Sequence, residues 1–204
     1  MHEDKDLQGF DAALSRRDLM VAGFAGATLT AATACAQTAG GANGDARPLV
    51  VYFTRSGNTR VIARGLARML AAPLAELVPV TAYPDDYEAN VAQAERERRA
   101  GTLPPLRALS LKPADHDLIF LGFPIWGMTV PAVIRTFLGA HDLSGKRIAP
   151  FITHGGYGIG DSLSVLDSHA PQAQRLTPFT LECDQERRTL AAVDQWLGGL
   201  GLAG

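Results

Sequence analysis

The sequence predicts an α/β protein built on a doubly wound, five-stranded parallel sheet with helices on both faces. Two short apolar runs rich in β-branched and aromatic residues, 49–53 and 117–122, have the length of strands that are covered on both sides. Amphipathic helical segments separate the strand-like runs, and strict alternation of strands and helices is typical of a parallel sheet. Loops at 54–58, 123–129 and 154–160 follow three of the strands.

The predicted elements follow one another with short connections. In the first helix, Ile62, Leu66, Met69 and Leu70 share one face and predict a core-facing stripe. Pro131 suits the first turn of the third helix, and Asp184 is a predicted N-cap of the last. Strands are predicted at 49–53, 74–78, 117–122, 147–153 and 177–183; helices at 59–70, 86–100, 130–138 and 161–168; and a closing helix with Leu190, Val193 and Leu197 facing inward.

Composition limits the classes of function. The chain has 204 residues, and 16 acidic and 16 basic residues remain after the first 34 are set aside. A balanced charge does not favour binding to nucleic acid or to an anionic membrane surface. The two cysteines, Cys35 and Cys183, are too few for a disulfide framework or a metal cluster, so no metal site is predicted.

The N-terminal segment has the pattern of a targeting signal. Arg16 and Arg17 precede a mild apolar run from Val21 to Ala34, and this order resembles a twin-arginine export signal. The run has about 15 residues, short of the roughly 20 that a membrane span requires. The alternatives are a helix packed on the domain or a membrane anchor. We predict a signal peptide at 1–35, a flexible linker at 36–47 and the folded domain at 48–204.

The sequence offers more than one cleavage site for the signal peptide. Ala32-Thr33-Ala34 and Ala34-Cys35-Ala36 both fit the small-x-small rule for cleavage. Cys35 also stands where a lipoprotein signal carries its acylated cysteine, although the usual leucine three places earlier is missing. We therefore expect a periplasmic protein, either free or tethered through a lipid on Cys35.

The strongest chemical signal of the domain is the loop Thr54-Arg55-Ser56-Gly57-Asn58-Thr59. It supplies three hydroxyl groups, a glycine that permits close approach, and the N-terminus of a helix, which together form an anion site. The loop lacks the spacing of dinucleotide or nucleoside-triphosphate loops, so a phosphate monoester fits best. The alternative is an ordinary capped turn, because these residue types also favour turns.

Three motifs in order give the chain a resemblance to the flavodoxin family. Thr54, Ser56, Gly57, Asn58 and Thr59 match the family's phosphate-binding pattern, and 121–127 and 151–160 are similar to its two flavin-ring loops. The resemblance implies strand order 2-1-3-4-5 and bound flavin mononucleotide (FMN) at the carboxyl ends of the strands. The implied cofactor-binding residues are Thr54, Arg55, Ser56, Gly57, Asn58, Thr59, Pro124, Ile125, Trp126, Gly127, Met128, Thr153, His154, Gly155, Gly156, Tyr157 and Gly158.

The ring loops carry the residues that would tune the flavin. The resemblance implies that Trp126 covers one face of the ring and Tyr157 the other, although Trp126 also suits a core position. Gly127 would let its peptide rotate at low cost. His154 is the one candidate catalytic residue: it would either stabilise reduced flavin or bond the loop backbone. Neither ring loop carries a carboxylate, so we expect a less negative potential for the second electron than in acidic flavodoxins.

Two functions from different classes remain. The first is a redox protein that passes electrons through FMN, either as a carrier to a protein partner or as a reductase of a quinone-like molecule. The second is a flavin-free binding or structural module, because a fold alone does not fix a function. The intact phosphate loop favours the first, and the neutral domain favours a reductase over an acidic carrier.

Overall fold

A computed structural model describes residues 46–182 and 186–202, with only the backbone of 186–188. Cys35, Cys183, Asp184 and the predicted signal peptide lie outside the described residues. The strands are β1 (Pro48–Tyr52), β2 (Leu74–Glu76), β3 (Leu118–Pro124), β4 (Arg147–His154), β5 (Gln174–Arg175) and β6 (Phe179–Glu182). The helices are α1 (Asn58–Met69), α2 (Tyr87–Ala100), α3 (Ala132–Ala140), α4 (Ser162–His169) and α5 (Glu186–Gly199), with one 3-10 turn at Pro113–Asp115.

All the strands pair in parallel in the order β2-β1-β3-β4-β5, which confirms the predicted doubly wound fold. The fifth position of the sheet differs from the prediction, because two short strands share it. β5 pairs with the start of β4 and β6 with its end. Ile148 pairs with Arg175 in β5, and Phe151 pairs with Phe179 in β6. Three steps along β4 therefore correspond to four steps from β5 to β6, so the outer strand position contains one extra residue. Pro178 lies in this interruption, and proline has no N–H for a ladder.

Alternate residues of each strand enter two separate cores. Leu49 and Val51 face a core formed with α3, whereas Val50 and Tyr52 face a core formed with α1 and α5. The period of two follows from the pleat of the strand. Residues of the loops at the carboxyl ends of the strands, among them Ile125, Trp126 and Ile159, pack against the first of these cores.

Two residues that were predicted to face the core are exposed instead. Met69 is 44% exposed because it is the last residue of α1, and Leu190 is 40% exposed in α5. Leu190 lies over Gly65, where an added Cβ would come within 2.6 Å of its Cδ2 atom. The helices therefore approach each other through a glycine, whereas Val193 and Leu197 fill the core as predicted.

The predicted linker is partly fixed where it meets the domain. Arg47 donates through Nε and Nη2 to the carboxylate of Asp117, at 3.1 Å each.

Within the described residues, no helix combines the length and the apolarity that a membrane crossing requires. The same residues contain no cluster of three metal-ligating side chains.

Candidate functional site

The three loops singled out in the sequence meet at the carboxyl ends of β1, β3 and β4. They border a cavity of about 510 Å³. The predicted residues that line it are Arg55, Ser56, Pro124, Ile125, Trp126, Gly127, Thr153, His154 and Gly155. The others, Thr54, Gly57, Asn58, Thr59, Met128, Gly156, Tyr157 and Gly158, belong to the same loops or to α1 but do not line the cavity.

The loop between β1 and α1 leaves a helix N-terminus open. Gly57, the N-cap of α1, has φ +100°, and no atom of the described residues lies within 4 Å of a Cβ built on it. Its N–H donates to the Thr54 hydroxyl at 3.1 Å, but no side chain in the described part of the chain caps α1, and its first turn holds no acid. In α2, by contrast, Asp86 accepts from the N–H of Ala89. The start of α1 therefore keeps unpaired N–H donors and the positive end of its dipole for an external anion.

Thr59 is positioned differently from the other hydroxyl residues of this loop. Its hydroxyl lies 2.9 Å from that of Thr153, and both side chains are buried. A hydroxyl has one proton, so Thr59 can donate either to Thr153 or to a ligand but not to both. Ser56 is exposed and is the freer donor.

Trp126 lies in an aromatic cluster with Phe53 and Tyr83. Its ring meets Phe53 at 5.2 Å and Tyr83 at 4.9 Å, edge to face in both cases. It also lines the cavity. The cluster fixes the plane of the indole, so Trp126 packs against the core and also presents part of its ring to the cavity.

The turn after Trp126 has an unusual backbone. Trp126 and Thr129 exchange N–H···O bonds of 3.2 Å across Gly127 and Met128, which have φ +58° and +64°. Glycine tolerates this region, but a side chain such as that of Met128 costs about 1–2 kcal/mol there. The carbonyl of Met128 accepts from the N–H of Asp161 at 3.1 Å, which holds the turn against the start of α4.

The loop after β4 carries the predicted histidine and tyrosine. His154 accepts at Nδ1 from the N–H of Gly156 at 3.2 Å, so the backbone bond considered for it is present. Tyr157 is 85% exposed and free to cover a ligand. Glu182, at the end of β6, lies against Gly156, where a Cβ would stand 3.1 Å from its Oε1. The loops have no carboxylate of their own, but the fold brings one to them.

The wall formed by α2 is a part of the cavity that the sequence does not predict. The charged run 95–99 has the pattern of a solvated helix face with local charge pairs, and both are present: Glu95 binds Arg98 and Arg99, and the three arginines of the run are exposed. Glu95, Glu97 and Arg98 also line the cavity, which the pattern does not indicate. Only Asn90 is buried in this helix, and it lines the cavity too. A predicted helix without an apolar stripe was the available signal.

Tyr83 connects α2 to the aromatic cluster. Its hydroxyl donates to Glu97 Oε2 at 2.5 Å, and Glu97 also accepts from Gln93 at 2.9 Å. Burial, followed by the bond to the Glu97 carboxylate, raises the pKa of Tyr83 well above its ordinary value. The phenol therefore stays protonated and acts as a fixed donor.

Arg55 connects the first loop to the start of α2. Its Nη2 donates to the carbonyl of Asp85 at 2.7 Å, and its guanidinium lies 5.7 Å from the ring centre of Tyr87. A residue of the anion loop thus positions the helix that forms the opposite wall of the cavity.

Comparison with solved structures places the fold among flavoproteins. A candidate flavoprotein from Bacteroides eggerthii DSM 20697 is 27% identical, with 77% of this chain and 99% of that chain covered and a TM-score of 0.66. One from Bacteroides uniformis ATCC 8492 is 25% identical, with 75% and 98% covered and a TM-score of 0.65. A flavoprotein from Lactobacillus acidophilus NCFM, solved in complex with FMN, shares the fold at 20% identity, with 72% and 99% covered and a TM-score of 0.58.

A comparison with curated protein sequences returned no significant match. The model of a protein family described as flavodoxin, however, matches residues 47–198. This range contains every described strand and almost all of the last helix, together with the three loops at the carboxyl ends of β1, β3 and β4. The chain therefore belongs to the flavodoxin family.

Proposed function

We propose that this protein is an exported redox protein that binds FMN and passes electrons to a quinone-like molecule or to a redox partner protein. The open N-terminus of α1 is the observation that carries the proposal. The same chain caps α2 with Asp86 but leaves the first turn of α1 to an external acceptor. A phosphate group satisfies such N–H donors and gains from the helix dipole.

The residues present fit the rest of the cofactor. A flavin ring needs a planar contact and a backbone that can approach it closely. Trp126 and the exposed Tyr157 supply aromatic surface, and Gly127, Gly155 and Gly156 have no side chains to obstruct it. When bound, FMN would supply the storage of one or two electrons. The protein would position the ring, exclude water on the side of Trp126 and set the local charge.

The surroundings of the cavity favour a small-molecule acceptor over a protein carrier role. Helices α2 and α3 contribute a wall opposite the ring loops, so the space beside them is bordered by side chains rather than left as a flat surface. The neutral charge of the domain agrees with this proposal, since acidic flavodoxins use their charge to meet partners.

Export is proposed from the N-terminal sequence, which lies outside the described residues. Arg16 and Arg17 precede an apolar run, and the twin-arginine route accepts folded cargo. FMN would then be bound in the cytoplasm and carried across with the folded domain. Replacing both arginines with lysine should leave unprocessed protein inside the cell, whereas normal levels outside would contradict the proposed route. A mass measurement on the processed protein would show whether Cys35 carries a lipid.

Titration of the full-length protein with FMN and with riboflavin tests the cofactor. We expect a clear preference for FMN, and we expect Ser56→Ala to reduce FMN affinity by about 1–3 kcal/mol while leaving riboflavin binding unchanged. Ser144→Ala is the control, because Ser144 precedes β4 at the opposite end of the sheet. Equal affinity for the two flavins would contradict the phosphate site at the start of α1. A protein that binds neither would replace the proposal with a flavin-free module.

A further inference from the structure

The cavity continues into a cleft that the phosphate and ring loops do not form. Helix α2 lines it with Asn90, Val91 and Ala94, and the start of α3 lines it with Val130, Pro131 and Arg135. We call this space the α2–α3 cleft. It borders the site proposed for the flavin ring through Ile125 and Trp126, which line the same cavity.

Two donors in the cleft have no partner within the described residues. Asn90 is 3% exposed and its Nδ2 has no hydrogen-bond partner. The buried Nε of Arg135 has none either, although its Nη2 donates to the Thr129 hydroxyl at 3.0 Å. A buried donor left unpaired costs about 1–3 kcal/mol. Both missing partners are acceptors, and both residues line the same cavity. The two nitrogens lie beneath its surface, so each side chain would have to rotate to donate to a ligand with oxygen acceptors.

The rest of the lining is apolar or already paired. Val91, Leu103, Val130 and Pro131 offer carbon surface, and Val91 and Leu103 are partly exposed although apolar. Glu95 and Glu97 also line the cavity, but both accept hydrogen bonds within α2 or from Tyr83, and Arg98 and Arg135 balance their charge. The lining therefore fits a ligand with an apolar body and carbonyl oxygens.

We propose that the α2–α3 cleft is the binding site for a quinone-type acceptor, with Asn90 Nδ2 and Arg135 Nε donating to its carbonyl oxygens. The proposal rests on the proposed function, because such a molecule would be the partner of bound FMN. It also identifies the cationic Arg135 as the group that favours the acceptor, since carbonyl oxygens of this class gain negative charge on reduction. Helix α2 is then a substrate-binding element.

The test compares three probes of similar shape on the full-length, FMN-loaded protein by calorimetry. They are 2,3-dimethyl-1,4-naphthoquinone, 2,3-dimethylnaphthalene and 2-naphthoate. We expect the quinone to bind about tenfold more tightly than the hydrocarbon. It should also bind more tightly than the carboxylate, whose two oxygens share one carbon and cannot reach donors on two helices. Asn90→Leu and Arg135→Met should each remove most of the preference for the quinone and leave the hydrocarbon unaffected. Arg96→Met is the matched control, because Arg96 is exposed on α2 and does not line the cavity.

Each contrary outcome has one meaning. Equal binding of quinone and hydrocarbon, or a preference unchanged in both variants, overturns the role of the two donors. Tighter binding of 2-naphthoate overturns the quinone class. Displacement of FMN by the quinone shows that the cleft belongs to the flavin itself, which also overturns the proposal. FMN affinity is measured in the same samples. A protein that binds FMN but no quinone contradicts only the quinone site in the α2–α3 cleft. A protein that fails to bind FMN contradicts the proposed function itself.

Discussion

The hydroxyl oxygens of Thr59 and Thr153 lie 2.9 Å apart in a buried contact that joins the first turn of α1 to the end of β4. These two elements carry the anion loop and one ring loop. The contact therefore fixes the distance between the two loops that the cofactor would bridge.

We expect this pair to be strongly coupled in stability. Thr59→Val leaves the hydroxyl of Thr153 without its partner and should lower the free energy of unfolding by about 1–3 kcal/mol. Replacing both residues with valine keeps the shape and removes both polar groups, so the double variant should lose less than the sum of the single variants. Urea denaturation of the four proteins measures the coupling, and strictly additive losses would contradict it.

A substitution at Gly57 should be destabilising because of the backbone conformation of this residue, and not because a larger side chain would clash with neighbours. Its φ is +100°, and an added Cβ would meet no atom of residues 46–182 or 186–202 within 4 Å. Gly57→Ala should therefore destabilise the fold by about 1–2 kcal/mol through strain alone. Gly139→Ala is the matched control: Gly139 is also free of neighbours within 4 Å but has no positive φ in α3, so alanine should stabilise by about 0.5–1 kcal/mol. Equal effects in thermal unfolding would show that strain at Gly57 is absent.

Stability should fall at alkaline pH through Tyr83. The pKa of this phenol is raised in the folded state, chiefly by burial and then by Glu97, so the unfolded chain loses the proton first. The stabilisation is complete below about pH 10, the ordinary pKa of tyrosine, and is lost above it by at most about 1.4 kcal/mol per pH unit. Denaturation at pH 8 and pH 11 should show a smaller difference in Tyr83→Phe. Tyr52, whose pKa is also raised by burial and by Glu76, accounts for the remainder. An unchanged difference would remove Tyr83 from the effect.

Glu182 should make the potential for the second electron more negative. Its carboxylate lies against Gly156 in the loop proposed to hold the flavin ring. Glu182→Gln removes a charge that opposes an anionic reduced ring, at roughly 1 kcal/mol where water screens it, which corresponds to tens of millivolts upward. Asp115→Asn is the control, since Asp115 precedes β3 at the other end of the sheet. Spectroelectrochemical titration of the FMN-loaded protein that shows equal shifts in both variants would reject a local effect.

The sequence predicted those features that depend on neighbours along the chain. The strand order follows from the alternation of apolar runs and helices, and the open N-terminus of α1 follows from the glycine and hydroxyl residues before it. The split of the outer strand was missed because a run of strand-forming residues does not show where a proline breaks pairing with β4. Contacts between distant elements could not be predicted from the sequence either. No residue near Gly156 in the sequence indicates that Glu182 lies against it, and none near Trp126 indicates that Asn90 lines the same cavity.

The split outer strand has a consequence for self-association. A long, flat edge strand offers unpaired N–H and C=O groups to another chain and promotes aggregation. One edge of this sheet is the three-residue β2, and the other is divided into β5 and β6 around Pro178. Neither edge provides a continuous template for intermolecular strand addition. The folded domain can therefore remain dispersed at high concentration without a subunit that covers the edges of its sheet.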